Sequence, residues 1–478
     1  MADAYHKYVT RCQYILRQGR AVADILYLTP EGAPHVFRAP KSALAGDDVL
    51  PDKRGYSFDG VSPTALIELA EVKDNCIVFP GGASYKIMVM PNFKTMTPEL
   101  LHKIEYLLKN GAQIIGAPPV KSPGLQAYPD CDSEVQKLAL EIWKTFDIPV
   151  EETEIHYGQG NLFWGGNYCK TDSGEIFPNY IVTESLLDKL DVNEDFSASG
   201  SLRYTHRITE DRDIYFVSNR TDTTVKDICT FRVGQGVPEI WDPVTGETRF
   251  LTDFKSENSL TAIPLHFDRY QSYFIVFDHS ESQERPKDIS KPNFPDFKTA
   301  KILDGKWQVS FDTKRGGPEN ITFDSLTDWS VNENEGVKYY SGTAKYSKTF
   351  DLEGAVNSSK NNVYLNLGEV KNMARITLNG KNLGILWTSP WRLDVSEVIK
   401  NKGNKLEIEV VNLWGNRMIG DEQLPDDGVK DGKWPAWLLN DEPRTSGRFT
   451  FAPRRFYQKD SPLQSSGLLG PVYIEVSD

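Results

Sequence analysis

Residues 86–115 read KIMVMPNFKTMTPELLHKIEYLLKNGAQII. An apolar run of strand length, Lys86–Met90, comes first. Thr97-Pro98-Glu99 follows with the chemistry of a helix start: a hydroxyl N-cap, Pro at the first helical position and an acid in the first turn. Leu100, Leu101, Ile104, Leu107 and Leu108 then recur at helical spacing, and Gly111 supplies the residue just past the end. Gln113–Ile115 returns to strand chemistry. Strand, helix and strand over about thirty residues make a βαβ unit. Two strands joined this way lie parallel, in a sheet covered by helices.

The same alternation extends in both directions. Val22–Leu28 (VADILYL) and Ile77–Phe79 read as strands. Ser62-Pro63 reads as an N-cap and first helical residue. Ser133 and Gln136 resemble a capping box, before a helix with Val135, Leu138, Ala139, Ile142, Trp143 and Phe146 on one face. The pattern predicts a flavodoxin-like α/β domain over residues 21–190. Such sheets bind ligands at the carboxyl ends of their strands. The loops there are Gly81-Gly82, Pro91-Asn92 and Gly116-Ala117-Pro118-Pro119, and none carries GxGxxG or GxxxxGK[ST]. No GxSxG and no cysteine in a Gly-flanked elbow is present, so the plainer reading is a scaffold without chemistry.

Upstream, MADAYHKYVTRCQYILRQGR places Tyr8, Cys12, Ile15 and Leu16 on one helical stripe. It has no apolar h-region and no small-residue cleavage site, so no signal peptide is expected. A chain opening inside a patterned helix is expected either to continue a longer parent or to begin with an ordinary first helix. Downstream, the helical period disappears. Asp213–Asn219, Thr230–Val233 and Tyr273–Phe277 are β-type runs, and residues 195–285 read as a small antiparallel domain. Gln283–Phe294 reads as a linker. Over 295–478 the period-2 alternation is strongest, as in Val363/Leu365/Leu367, Ala374/Ile376/Leu378, Leu406/Ile408/Val410 and Val472/Ile474/Val476. Asn379-Gly380 is a hairpin turn signal. This predicts a jelly-roll β-sandwich. The fold class expected for the whole chain is multidomain, α/β plus all-β.

Composition narrows the function. The 478 residues carry 54 Lys+Arg against 67 Asp+Glu, a net charge of −13. Such a surface repels nucleic-acid phosphates and anionic lipid, so neither is expected as a partner. No apolar run approaches the roughly 18 residues of a membrane span. The five cysteines (Cys12, Cys76, Cys131, Cys169 and Cys229) are scattered and lack any CxxC pair, so neither a disulfide framework nor a zinc site is expected.

Seven of the ten tryptophans lie in the last domain: Trp307, Trp329, Trp387, Trp391, Trp414, Trp434 and Trp437. Sugars stack their C–H faces on aromatic rings, so an aromatic-rich sandwich is a candidate carbohydrate binder, against the plain alternative of core anchoring. Trp387 and Trp414, beside strands, read as core. Trp391, Trp434 and Trp437 are the candidate sugar contacts.

Several motifs then carry a resemblance. Lys338–Ala344 (KYYSGTA), Asn379-Gly380 with Gly384–Trp387, Val411–Arg417 (VNLWGNR) and Ser466–Val472 (SGLLGPV) resemble the galactose-binding-like jelly roll of family 2-type glycosidases. His206-Arg207, Asp213–Asn219 (DIYFVSN) and Trp241–Gly246 (WDPVTG), with Arg11–Leu16, Gly19-Arg20 and Val22–Tyr27, resemble glycoside hydrolase family 106, the α-L-rhamnosidases. The resemblance implies a bacterial polysaccharide-degrading lineage, usually exported, with the compartment of this chain left open. It also implies a (β/α)8 barrel holding two catalytic carboxylates and a calcium ion. Such a barrel takes about 250 residues of βα repeats, and residues 1–190 hold too few.

The expectation is therefore the C-terminal, non-catalytic portion of such an enzyme. Residues 1–20 resemble the last barrel helix. No catalytic residue, metal ligand or cofactor is assigned within the chain. Such a portion is either a truncated open reading frame or half of a split enzyme; its expected partners are a rhamnose-containing glycan and, in the second case, a separate catalytic-barrel chain. Two rival readings stay open. One is a complete glycosidase, with His206 and Arg207 as pocket or interface candidates beside Asp211 and Asp213. The other is a stand-alone lectin.

Overall fold

The computed structural model describes residues 1–477 apart from 33–34, 46–51, 200, 281–291 and 353–361. The expected linker at 283–294 falls largely outside the described residues. The chain divides into two compact units. One holds Arg11–Phe267 and Ser272–Asn293; the other holds Met1–Thr10, Asp268–Gln271 and Phe294–Asp478. Strands far outnumber helices. Among the described residues no helix is long and apolar enough to cross a membrane. All five cysteines are free thiols.

After the first helix, α1 (Ala2–Leu16), the chain builds an α/β layer. Its elements are β1 (Ile25–Leu28), β2 (Phe58–Val61), α2 (Pro63–Leu69), β3 (Ile87–Val89), α3 (Pro98–Lys109), β4 (Gln113–Ile115), α4 (Asp130–Trp143), β5 (Thr153–Tyr157), β6 (Gly160–Trp164) and α5 (Tyr180–Lys189). The sheet order is β5-β6-β4-β3-β1-β2. All neighbours pair in parallel except the edge strand β5, which runs antiparallel to β6. Counting only the parallel strands in chain order, the order is 2-1-3-4-5.

The packing explains the sequence pattern. All four residues of β1 are buried, because helices or loops cover both faces. Leu26, Leu28, Met88 and Ile114 face the α3–α4 side, where Ile104, Leu107, Val135 and Ile142 meet them. Ile25, Tyr27, Ile87 and Val89 face the other side with Leu186 and Leu187 of α5. Ser62 and Thr97 cap α2 and α3, as their sequences predict.

Two local expectations are corrected. Residues 76–78 leave the parallel sheet and pair antiparallel with Glu71–Lys73 and Ser84–Tyr85. The cause is a two-residue turn in which Asp74 and Asn75 both adopt positive φ, 52° and 59°, folding the chain back on itself. The Ser133/Gln136 capping box does not form. Helix α4 starts three residues earlier, at Asp130, where Asp130 and Asp132 complement the helix dipole.

The rest of this unit is antiparallel, with β7 (Leu202–Ile208), β8 (Arg212–Asn219), β9 (Val225–Phe231), β10 (Val237–Trp241), β11 (Leu260–Phe267) and β12 (Ser272–Asp278). One sheet runs Arg20–Ala21, β7, β8, β12, β10 and Thr248–Phe250; a second runs Phe196–Ser197, β9, β11 and Lys255–Glu257.

The other unit contains two main antiparallel sheets. Its strands are β13 (Phe297–Ile302), β14 (Trp307–Phe311), β15 (Ile321–Phe323), β16 (Thr343–Phe350), β17 (Asn362–Asn366), β18 (Met373–Leu378), β19 (Lys381–Leu386), β20 (Arg392–Asp394), β21 (Asn404–Val411) and β22 (Tyr473–Ser477). The sheets run β13-β22-β17-β20 and β15-β14-β16-β21-β18-β19. Val363, Leu365, Ile376, Ile408 and Ile474 enter one core with Trp307, Trp329, Tyr340 and Tyr346. Asn379 and Gly380 turn β18 into β19 with φ of 54° and 85°. The buried indole of Trp329 donates to the Tyr346 hydroxyl at 2.6 Å. Gly467 lies against that ring: a Cβ there would sit 2.5 Å from the indole nitrogen, and its φ is +103°.

Candidate functional site

Three places could hold chemistry. The first is the crevice where the parallel order switches, between the ends of β1 and β3. The protein fills it with its own groups. Glu31 receives hydrogen bonds from the Thr97 backbone N–H at 2.7 Å and the Thr97 hydroxyl at 2.6 Å, so a carboxylate already occupies the N-terminus of α3. Asn92 is tied through its side chain to the Cys169 carbonyl and through its backbone N–H to that of Ile176. Phe177 packs on Tyr27 at 4.8 Å.

The second place surrounds His206, on β7. Its cross-strand neighbour on β8 is Tyr215, and the two rings stack at 3.8 Å. Nδ1 lies 2.9 Å from Asp195 and Nε2 lies 2.8 Å from Asp213. Asp213 also takes a hydrogen bond from His279 at 2.6 Å. Asp195 accepts from the Tyr215 hydroxyl, and Arg232 lies 3.5 Å from it while pairing with Asp24 at 3.0 Å.

Burial alone disfavours the imidazolium, but Asp195 and Asp213 outweigh it and hold the His206 pKa above its ordinary value. Burial likewise works against ionised Asp213, yet His206 and His279 bring its pKa below the usual carboxylate range. For Asp24 burial wins over Arg232 and the pKa is raised. Asp195 Oδ2 is buried without a hydrogen-bond partner among the described residues. These charges are enclosed and matched to one another. Glycoside cleavage instead needs two carboxyls facing a substrate, roughly 5–10 Å apart.

Arg207, the neighbouring candidate, donates to the carbonyls of Gln18 and Gly19 at 2.6 Å each and holds the turn after α1. Asp211 is half exposed and lies beside Arg212. Sequence reasoning singled out His206 and Asp213, but not Asp24, Asp195, Tyr215, Arg232 or His279. These arrive from five separate chain segments, and no local motif joins them.

The third place is the long excursion between β21 and the strand Gly467–Gly470. It opens with α6 (Gly415–Asp421). Here the VNLWGNR motif proves to be a fastening. Asn412 donates to the Tyr340 carbonyl and Asn416 to that of Gln464, while Arg417 pairs with Asp421 at 3.1 Å. The other oxygen of Asp421 accepts from the backbone N–H groups of Phe449 and Thr450 and from the Thr450 hydroxyl.

Beyond this fastening Arg444 grips Asp427 with two hydrogen bonds, of 2.6 and 2.7 Å. That grip holds the Asp427 pKa down at about 2. Arg448 pairs with Glu422 at 3.0 Å, and Arg455 with Asp426 at 2.8 Å. These groups, with Arg454, Phe451 and Phe456, line a cleft of about 550 Å³ counted out to its open mouth.

The structure treats the candidate tryptophans differently. Trp437 donates its N–H to the Asp427 carbonyl, carries Arg444 on its face at 4.9 Å and meets Phe451 edge-on, so it is a half-buried packing residue of this lobe. Trp434 packs on Phe451 and keeps 49% of its surface exposed. Trp391 is partly buried against the sandwich core, and none of Trp391, Trp434 and Trp437 is among the residues that line the cleft. The reading of Trp414 as core is corrected: it is 50% exposed, with Arg315 over its ring at 5.0 Å. A strand neighbour need not point inward when the chain is already turning into α6. Trp387 is half-buried beneath Tyr5 and Tyr8 of α1.

Among the described residues no three His, Cys, Asp or Glu side chains converge as metal ligands. Among the described residues no set fits the calcium that the family resemblance implies.

Comparison with known proteins places these features in a lineage. A family sequence model described as glycosyl hydrolase 2 galactose-binding domain-like matches residues 324–445. The solved rhamnosidase from Novosphingobium sp. PP1Y is similar over the whole of this chain at 29% identity with a TM-score of 0.77, and 41% of that chain is covered. A curated relative from Formosa agariphila, called a putative beta-glucuronidase, is 25% identical over 99% of this chain and 57% of its own length. The chain thus spans about half the length of these two relatives. The model of glycoside hydrolase family 106, described as alpha-L-rhamnosidase, matches residues 1–255, more than half of the 478. The chain belongs to the alpha-L-rhamnosidase family, glycoside hydrolase family 106.

Proposed function

We propose that this chain is a non-catalytic, C-terminal-type portion of an α-L-rhamnosidase-like glycoside hydrolase, supporting a catalytic barrel and contacting carbohydrate through the cleft of its 415–466 lobe. One observation carries the reading. The only sheet with parallel pairs among the described residues has five parallel strands, open edges and a crevice filled by its own side chains. A (β/α)8 enzyme needs eight parallel strands closed into a cylinder, with catalytic groups at their carboxyl ends.

The parallel order 2-1-3-4-5 supports a flavodoxin-like class for the α/β layer. The two antiparallel sheets supporting the 324–445 match suit a galactose-binding-like jelly roll. In this proposal residues 1–20 continue a barrel, 21–190 and 195–285 form supporting domains, and 295–478 form the sugar-contacting module. The partners are a rhamnose-containing glycan and a catalytic (β/α)8 barrel. In this proposal the calcium that the resemblance implies belongs to the barrel, and only the family, not this chain, is assigned an exported setting.

The test is hydrolysis of an aryl α-L-rhamnoside by the purified chain. No turnover is expected. Robust turnover without a second polypeptide overturns the proposal in favour of a complete glycosidase. A second measurement is calorimetric titration with rhamnose-containing oligosaccharides, where heat of binding is expected.

A further inference from the structure

We propose that the 415–466 cleft is a subsite for an acidic saccharide unit, one bearing a carboxylate or a sulfate ester, and that Arg454 is its anion-recognising group. This rests on the reading of the lobe as a carbohydrate contact. The argument is one of pairing. Asp427, Glu422 and Asp426 each have an arginine partner: Arg444, Arg448 and Arg455. The fourth arginine of the cleft, Arg454, is exposed and has no hydrogen-bond or ion-pair partner among the described residues. The cleft lining therefore carries one positive charge in excess, on a chain whose net charge is −13. An excess guanidinium in a cleft whose other three arginines are each paired with a carboxylate draws an anion.

The surroundings are built rather than loose. Arg444 and Arg448 are largely buried, and each makes further bonds to main-chain carbonyls: Arg444 to Arg448 and Thr450, Arg448 to Leu424 and Pro425. Asp421 fixes the segment at Phe449 and Thr450 that leads into the cleft wall. Phe456, 68% exposed, offers an apolar face to the C–H side of a pyranose. The planar fork of Arg454 matches two oxygens of a carboxylate or sulfate at once.

The test uses the full chain and three sugars that share one ring and differ only at carbon 6: D-glucose, D-glucuronate and D-glucose 6-sulfate, with L-rhamnose as a fourth probe. Binding is followed by NMR or calorimetry at low ionic strength. At least one acidic sugar is expected to bind about five-fold tighter than glucose, with the preference shrinking as salt is raised. Which acid is preferred tells carboxylate from sulfate. Arg454→Ala is expected to erase the preference for the acidic sugar over glucose while leaving the melting temperature unchanged; Arg454→Lys is expected to restore part of the preference. Equal binding of glucose and both acids, or a preference that survives Arg454→Ala, overturns the acidic subsite and leaves the carbohydrate reading standing. Absence of binding by all four sugars removes the subsite together with the carbohydrate contact beneath it.

Discussion

The imidazole of His206 is held 2.8 Å from Asp213, and the same ring reaches Asp195 on its other side at 2.9 Å. A buried imidazolium between two carboxylates ties stability to pH. The folded pKa of His206 is raised above its ordinary 6.5, so its contribution is complete below about 6.5 and is lost as pH rises through the raised value. The folded pKa of Asp213 is depressed below 3.8, so its contribution is present above about 3.8 and is lost as pH falls through the depressed value. Together the two groups are expected to contribute most between about pH 4 and 6.5, declining on either side, while Asp24, whose pKa burial raises, takes back part of that gain as pH rises above 3.8. Chemical denaturation followed across pH checks this. A stability curve rising steadily above pH 6.5 contradicts it.

His206→Ala leaves two buried carboxylates facing each other without their cation. The expected loss is about 3 kcal/mol, the scale for breaking a buried ion pair from one side. The decline above pH 6.5 should also flatten in this variant, which separates the titration from a simple packing defect.

Gly467→Ala is expected to destabilise the sandwich by about 2 kcal/mol. Its Cβ would meet the Trp329 ring, and the residue holds a φ that side chains rarely adopt. Thermal unfolding measures the loss. A variant as stable as the parent shows that the ring can move aside.

Asp421→Ala removes the acceptor for three hydrogen bonds and the partner of buried Arg417. The lobe is expected to loosen before the sandwich does. Limited proteolysis should then cut within 422–460 at a rate well above that of the parent protein. Cleavage confined to other segments counts against the fastening.

Trp434→Ala and Trp437→Ala are expected to part company. Trp437 carries a part-buried hydrogen bond and two packed neighbours, so its loss should cost about 2 kcal/mol of stability in the lobe. Trp434 is half exposed, so its loss should leave melting unchanged and weaken oligosaccharide binding. Equal stability losses in both variants contradict this division.

The sequence by itself determined the elements and their pairing tendencies. Period-3.6 stripes closed by Ser62, Thr97 and Gly111 define helices from neighbours within a few residues, and alternation through Val363, Ile376 and Ile408 defines strands the same way. These signals are local, so they survive reading along the chain. Tertiary structure alone decided the rest. Asp24, Asp195, His206, Arg232 and His279 are far apart in sequence and became one network only because the sheets bury them together. The same holds for Trp414, read from its strand neighbour as core but left half exposed, and for Trp437, read as a sugar contact but half-buried against Arg444: burial and charge pairing depend on distances that only the folded chain sets.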